Sequence, residues 1–256
     1  MPSQFRVNDL PGSRLDLPPG LQQVVLRELG DAFAHATANA AELGAGTLVF
    51  VGRFDLAEFA VVLEPDEPLR TARRAFYACM AALGDALATY APPEKPMHFI
   101  WPDAIEVDTG LVGGGRLAWP KGASEDEPPE WLVFGTSIRT ISMADDEPGV
   151  RPLAATLEEE GFDSSDGGVL AESFARHLMT YIDAWQHKGF GVVAKEYIGR
   201  LPREEGISRN IDENGDLLVR RMGKVDVQRH KLLPLLQKPS WFDPKTGGPR
   251  LGGARR

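Results

Sequence analysis

The chain has 256 residues, 43% of them apolar and 25% charged, with a net charge of −9 and a pI near 5.1. That length suits one large domain, or one domain with a small appendage, and the acidic balance argues against nucleic acid or an anionic membrane as the main partner. No stretch approaches the ~18 apolar residues of a membrane span, the opening residues hold no apolar signal core, and the single cysteine, Cys79, excludes an intrachain disulfide and a Cys-rich zinc site. A cytoplasmic protein is the expectation.

Residues 1–18 are polar and Pro-rich and read as an extended arm. Pro18, Pro19 and Gly20 then open a helix whose apolar positions are Leu21, Val25, Leu29, Phe33, Ala36, Ala40 and Leu43, and Gly44 and Gly46 end it. Two β-rich runs follow, Thr47–Val51 and Phe59–Leu63, separated by a short loop with Gly52 and Arg53, so neighbouring strands are expected. Pro68 fits the first turn of a second helix, Leu69 to Tyr90, because a missing N–H costs nothing there. Pro92, Pro93 and Pro96 stop it. Met97–Trp101, Ile105–Val107 and Leu117–Trp119 read as short strands, and Trp131–Phe134 with the run to Ile141 as a buried one. Lys121–Glu130 and Ala144–Pro152 read as loops. Leu170–His187 is a third long helix with Phe174, Leu178, Tyr181, Ile182 and Trp185 on one stripe, followed by a shorter helix to about Tyr197. Asn214-Gly215 marks a hairpin within Ile207–Met222.

Helices and strands interleave without strict alternation, which favours an α+β fold, a mixed β-sheet flanked by helices. The expected organisation is a main domain over 1–200, a small β-rich module over 201–240 and a flexible tail over 241–256, whose composition leaves little to bury.

The stretch His98–Leu117 has the character of a site. It joins a Trp101-Pro102-Asp103 turn to the triple glycine Gly113-Gly114-Gly115. Such glycines let backbone approach a ligand because no Cβ intervenes; a bulge or tight turn without a ligand explains them equally well. Gly52-Arg53 reads as a hairpin tip or as an anion-holding loop, and Gly135-Thr136-Ser137 after a buried strand is ambiguous. Cys79 sits in a helical Ala- and Met-rich run, where an inert buried thiol is the plain explanation. His35, His98, His177, His187 and His230 show no zinc-type spacing, so no metal site is expected. Arg220, Arg221, Lys224, Arg229, His230 and Lys231 form the most basic stretch, either a solvated hairpin rim or a docking edge for an acidic domain.

In order, three segments resemble the biotin/lipoate protein ligase family over roughly residues 20–200. Ile100-Trp101-Pro102-Asp103-Ala104-Ile105 is similar to the family's Lys-Trp-Pro-Asn-Asp-Ile, Gly110-Leu111-Val112-Gly113-Gly114 to its Arg-Lys-Ile-Ala-Gly, and Val133 through Arg139 to its Val-Val-Gly-Ile-Gly-Ile-Asn. Ile207–Pro234 is similar to a small β-rich module that some of these ligases carry. The resemblance implies an acyl-adenylate formed from biotin or lipoate and ATP with Mg, no covalently bound cofactor, and transfer to a lysine of a biotinyl or lipoyl carrier domain. Homo-oligomerisation stays open.

That chemistry places cations beside the reacting carboxylate and phosphate. Here the family's catalytic lysine falls on Leu111, its Asn-Asp pair on Asp103-Ala104, its last Asn on Arg139, and its long arginine- and glycine-rich loop is reduced to Gly52-Arg53. Two readings remain. Either Arg53 or Arg139 replaces the lysine as an electrostatic clamp with Asp103 orienting it, since Arg holds phosphate bidentately, or the fold persists without adenylation as a binder of a carboxylated acyl cofactor, a nucleotide or a carrier domain. Gly52, Trp101, Leu111, Gly113, Gly114, Gly115, Gly135 and Ser137 would line the pocket in both. An octanoyl-type transferase, which needs a nucleophilic Cys beside a Lys, fits Cys79 poorly.

Overall fold

Seven strands of the computed structural model, which describes residues 14–27, 30–142 and 153–254, form one mixed sheet. They are β1 (Gln22–Leu26), β2 (Thr47–Val51), β3 (Leu56–Leu63), β4 (Met97–Ile100), β5 (Ala104–Val107), β6 (Gly110–Ala118) and β7 (Leu132–Arg139). Their order is β1-β2-β3-β7-β6-β5-β4; β1 pairs with β2 in parallel and the other neighbours are antiparallel. The mixed sheet flanked by helices agrees with the α+β expectation.

Alternation along β3 sends its side chains to two faces. Ala57, Phe59 and Val61 join the main core, while Ala60 and Val62 join a second, smaller cluster. The main core lies under α3 (Ala75–Ala88) and α4 (Gly167–Lys188), after a one-turn α2 (Leu69–Ala72). In α3 eleven of fourteen residues are buried, which is why that segment is apolar all round rather than striped. Cys79 is among them, and burial drives its thiol well above the usual range, which disfavours the thiolate. On the opposite face α1 (Ala32–Leu43) lays Ala32, Ala36 and Ala40 against β2, β3 and β7.

The single helix expected from Leu21 to Leu43 is corrected to a strand followed by a helix. Gln22–Leu26 adds to the sheet beside β2, and the helix starts only after Asp31, whose carboxylate accepts from Ala34 N at 2.8 Å. The helical spacing of Leu21 and Val25 is incidental, and the pairing offered by Thr47–Val51 prevails. The expected loop over Ala144–Pro152 and most of the N-terminal arm lie outside the described residues. The helix expected over Leu69–Tyr90 is divided by a turn at Arg73 and Arg74.

Beyond α5 (Gly191–Gly199), β8 (Ile207–Ile211), β9 (Leu217–Arg221) and β10 (Val227–His230) form a separate three-stranded antiparallel sheet, with the anticipated turn at Asn214-Gly215. Its turn is tied to the main core by Tyr77, whose hydroxyl donates to Gly215 O at 2.6 Å. The expectation of a flexible tail after residue 240 does not hold for residues 241–254. After the short α6 (Leu233–Leu236), Ser240 and Trp241 dock on the main sheet, and β11 (Phe242–Asp243) pairs with β12 (Gly248–Pro249). Trp241 is fully buried. One indole and three hydrogen bonds supply the burial that the Gly- and Pro-rich composition concealed.

Candidate functional site

The site is built on the sheet face that carries α1 rather than on the face under α3 and α4. Across β3, β7 and β6, Glu58, Ser137 and Gly114 stand in one row, and Ala60, Gly135 and Arg116 in the next. Paired residues of antiparallel strands share a face, so Glu58, Ser137 and Arg116 project together from a floor made of two glycines.

Each glycine admits a specific neighbour. A Cβ on Gly135 would run into the Phe33 ring of α1, and one on Gly114 would meet the Trp241 indole at 2.6 Å and collide with Asp103 O. Gly115 faces the other way, toward Phe134 and Met80 of the main core. The register between β5 and β6 shifts here: Ile105 pairs with Gly113 and Glu106 with Leu111, leaving Val112 unmatched. This bulge lets Leu111, three residues before Gly114, reach the same Trp241 side.

Residues 240–250 cover the outer half of this face. Trp241 Nε1 donates to Gly115 O at 2.9 Å. The Asp103 carboxylate accepts from Ser240 N at 2.7 Å and from Ser240 Oγ at 2.6 Å. Burial pushes the Asp103 carboxyl up to about 6, against the lowering effect of the Ser240 hydrogen bonds. Arg139 donates to Leu111 O and Pro249 O at 3.2 and 2.7 Å, so it ties this segment to β6.

At the inner end, Arg53 forms a bidentate pair with Asp55 at 2.7 and 2.6 Å and lies 3.6 Å from Glu58. This pairing lowers the Asp55 pKa. Glu58 is buried, accepts from Ala32 N at 2.9 Å, and is raised above the usual carboxylate range by desolvation. A Cβ on Gly52 would meet nothing closer than 3.9 Å, so space does not require glycine there.

Of the residues expected to form the site, Asp103, Leu111, Gly114 and Arg139 come together beneath residues 240–250, and Gly135 and Ser137 adjoin them. Arg53 and Gly52 lie past the end of β2. Gly113 and Gly115 belong to the same strand but do not face this cluster. Trp101 is elsewhere: its Nε1 donates to Tyr77 Oη at 3.1 Å and its ring lies 6.0 Å from that of His230. It joins the two sheets instead of lining the face. Among the described residues no group of three or more His, Cys, Asp or Glu is placed to hold a metal ion.

Sequence reasoning passed over Arg116, Glu58 and Trp241. The first two carried a signal, each being a lone charge inside an otherwise apolar β-rich run. Arg116 is 9% exposed, and desolvation lowers its pKa while Asp31 and Glu58 oppose the shift.

No helix among the described residues is long and apolar enough to cross a membrane. None of the curated proteins matches the chain. Among solved structures, a biotin protein ligase-like protein of unknown function from Silicibacter sp. TM1040 aligns with a TM-score of 0.70 at 27% identity, covering 88% of this chain and 98% of that one. The apo biotin protein ligase of Aquifex aeolicus aligns with a TM-score of 0.59 at 14% identity, over 83% of this chain and 100% of that one. The same ligase in complex with biotin and ATP gives 0.53 at 14% identity, over 82% and 99%. The model of the biotin/lipoate A/B protein ligase family matches residues 17–199, so the chain belongs to that family.

Proposed function

We propose that this protein binds a carboxylic acid of the biotin or lipoate class on the α1 face of its sheet, as a ligase-fold receptor that does not adenylate it. The observation that carries this reading is the position of Leu111. It is fully buried against Ala104 and Trp241, where the family resemblance calls for a lysine. A leucine supplies no charge to a developing acyl phosphate. The glycines at 114 and 135 let Trp241 and Phe33 pack onto this face as its cover, and the A. aeolicus ligase that holds biotin and ATP shares the fold.

A second reading has one observation in its favour. Arg139 is paired in register with Leu56, and Arg53 lies three residues before Leu56, so both residues belong to one end of the sheet. With Asp103 as orienting group they would clamp ATP with Mg, and a carrier-domain lysine would accept the acyl group.

Pyrophosphate exchange with ATP and biotin, lipoate or octanoate separates the two. The receptor reading expects acid binding by calorimetry and no acid-dependent exchange. Acid-dependent exchange that falls at least tenfold in Arg53→Ala or Arg139→Ala would overturn it in favour of the clamp.

A further inference from the structure

The α1 face holds a cation that neither reading above uses. Arg116 is more than nine-tenths buried, yet among the described residues it makes no hydrogen bond, and its Nε is fully enclosed without a partner. Its nearest carboxylate oxygen, on Asp31, is 3.7 Å away, beyond hydrogen-bond distance. Five N–H donors in a buried guanidinium are costly to leave unmade. The contacts Arg116 does make are to two rings, its Cζ lying 4.4 Å from the centroid of Phe33 and 4.1 Å from that of Phe242. Those rings hold the cation through its π face. They offer no acceptor to its in-plane N–H groups; Nε is enclosed, so the terminal Nη groups are the ones left for a ligand.

Arg116 also lines a cavity of 370 Å³ whose other walls include Phe33, Trp119, Leu236, Pro239 and Phe242. Walls that are apolar except for Gln237, with a single guanidinium, are complementary to an apolar chain that ends in a planar anion. The surrounding charge sets the size of that anion. Asp31 and Glu58 both act on Arg116, and Arg53 is already shared between Asp55 and Glu58. A polyphosphate would bring several negative charges against these carboxylates, with one guanidinium without hydrogen bonds to offset them.

We infer that Arg116 is the anion-receiving group of this face and that the adjoining cavity takes a monocarboxylic acid with an apolar tail. This rests on the reading that the face binds an acid, and it adds which residue takes the carboxylate and which ligands are refused. It also gives residues 240–250 a role. Phe242 forms part of the wall around Arg116, so the segment completes the cavity.

Calorimetry on the full chain without nucleotide tests the assignment, with octanoate, 1-octanol, ADP and inorganic phosphate as probes. Saturable octanoate binding is expected, with affinity at least tenfold above that for 1-octanol and no binding of ADP or phosphate. Arg116→Gln should weaken octanoate at least tenfold and leave 1-octanol unchanged, while Arg116→Lys should retain part of the difference. Equal affinity for octanoate and 1-octanol in the unaltered protein would overturn the proposal, and that comparison holds even if the Gln variant fails to fold. Preference for phosphate or ADP would overturn it too. Should biotin or lipoate bind with no dependence on Arg116 while octanoate does not bind, the acid-receptor reading stands and this assignment falls. Arg116-dependent octanoate binding together with acid-dependent pyrophosphate exchange sustains the assignment and rejects the receptor reading.

Discussion

The two faces of the main sheet are built on different physics. Under α3 and α4 the face is apolar and self-satisfied: Phe59, Phe134 and Phe174 interlock there, with ring centroids 4.9 and 5.8 Å apart. Its polar groups are spent on structure, as when Thr136 Oγ1 donates to Gly114 O at 2.8 Å. Across the same strands, the α1 face buries Glu58, Ser137, Arg116 and Asp103. Among the described residues, two of the three buried side-chain polar atoms without a partner, Arg116 Nε and Ser137 Oγ, lie on it. A fold that wanted only stability would not collect such groups in one place, because each costs free energy without a partner. The contrast separates scaffold from site more sharply than any single residue does.

The largest test of that contrast concerns residues 240–250. Trp241→Ala removes a fully buried indole that touches Gly114 and donates to Gly115 O. Loss of a core Trp or Phe costs about 3–5 kcal/mol. Trp241→Ala and Phe134→Ala should therefore destabilise to a similar extent in urea titrations. A cost below ~1 kcal/mol for Trp241→Ala, against the core range for Phe134→Ala, would show that this segment is a peripheral addition.

The helical face was far more legible in the sequence than the site. Long apolar runs such as Phe76–Leu87 and the β-rich Thr47–Val51 disclose their own burial, and the Asn214-Gly215 turn discloses its hairpin. The Trp101-Pro102 turn falls between β4 and β5, and the triple glycine falls within β6. What stayed hidden depends on partners distant in sequence. Trp241 meets Gly114 across more than a hundred residues, and no local pattern announces that pairing. Arg139, expected to face a ligand, instead binds the carbonyl of Pro249, an acceptor in a segment read as flexible. Gln22–Leu26 carries helical spacing, and only the neighbouring β2 decides its conformation.

The next effect is a pH dependence confined to the α1 face. Burial raises the folded-state Asp103 carboxyl from an ordinary 3.8 to about 6. Between these values the unfolded chain has released the proton and the folded chain still holds it. Stability contributed by the protonated form is thus full below pH 3.8 and is lost as pH rises through about 6. Each tenfold difference in proton affinity between the folded and unfolded chains is worth about 1.4 kcal/mol, which makes the loss roughly 2–3 kcal/mol. The stability of the unaltered protein relative to Asp103→Asn should fall by that amount between about pH 3 and about pH 7 and stay level above it. A flat difference across the window would mean that Ser240 keeps Asp103 ionised throughout.

The smallest expected effect is the most direct comparison of the two faces, because it uses adjacent residues of β7. Thr136 and Ser137 are equally buried, at 1% exposure, but point to opposite sides. Thr136→Val keeps the shape, deletes the bond to Gly114 O and should cost about 1–2 kcal/mol. Ser137→Ala deletes a hydroxyl that has no partner, so the desolvation it imposed is relieved while only a small void is opened. Its stability should change by less than ~1 kcal/mol, in the stabilising direction. If Ser137 serves a ligand, the same substitution should weaken octanoate binding while leaving the melting temperature unchanged or raised. Destabilisation of Ser137→Ala equal to that of Thr136→Val would mean that both hydroxyls are structural, and the asymmetry between the faces would then rest on Arg116 alone.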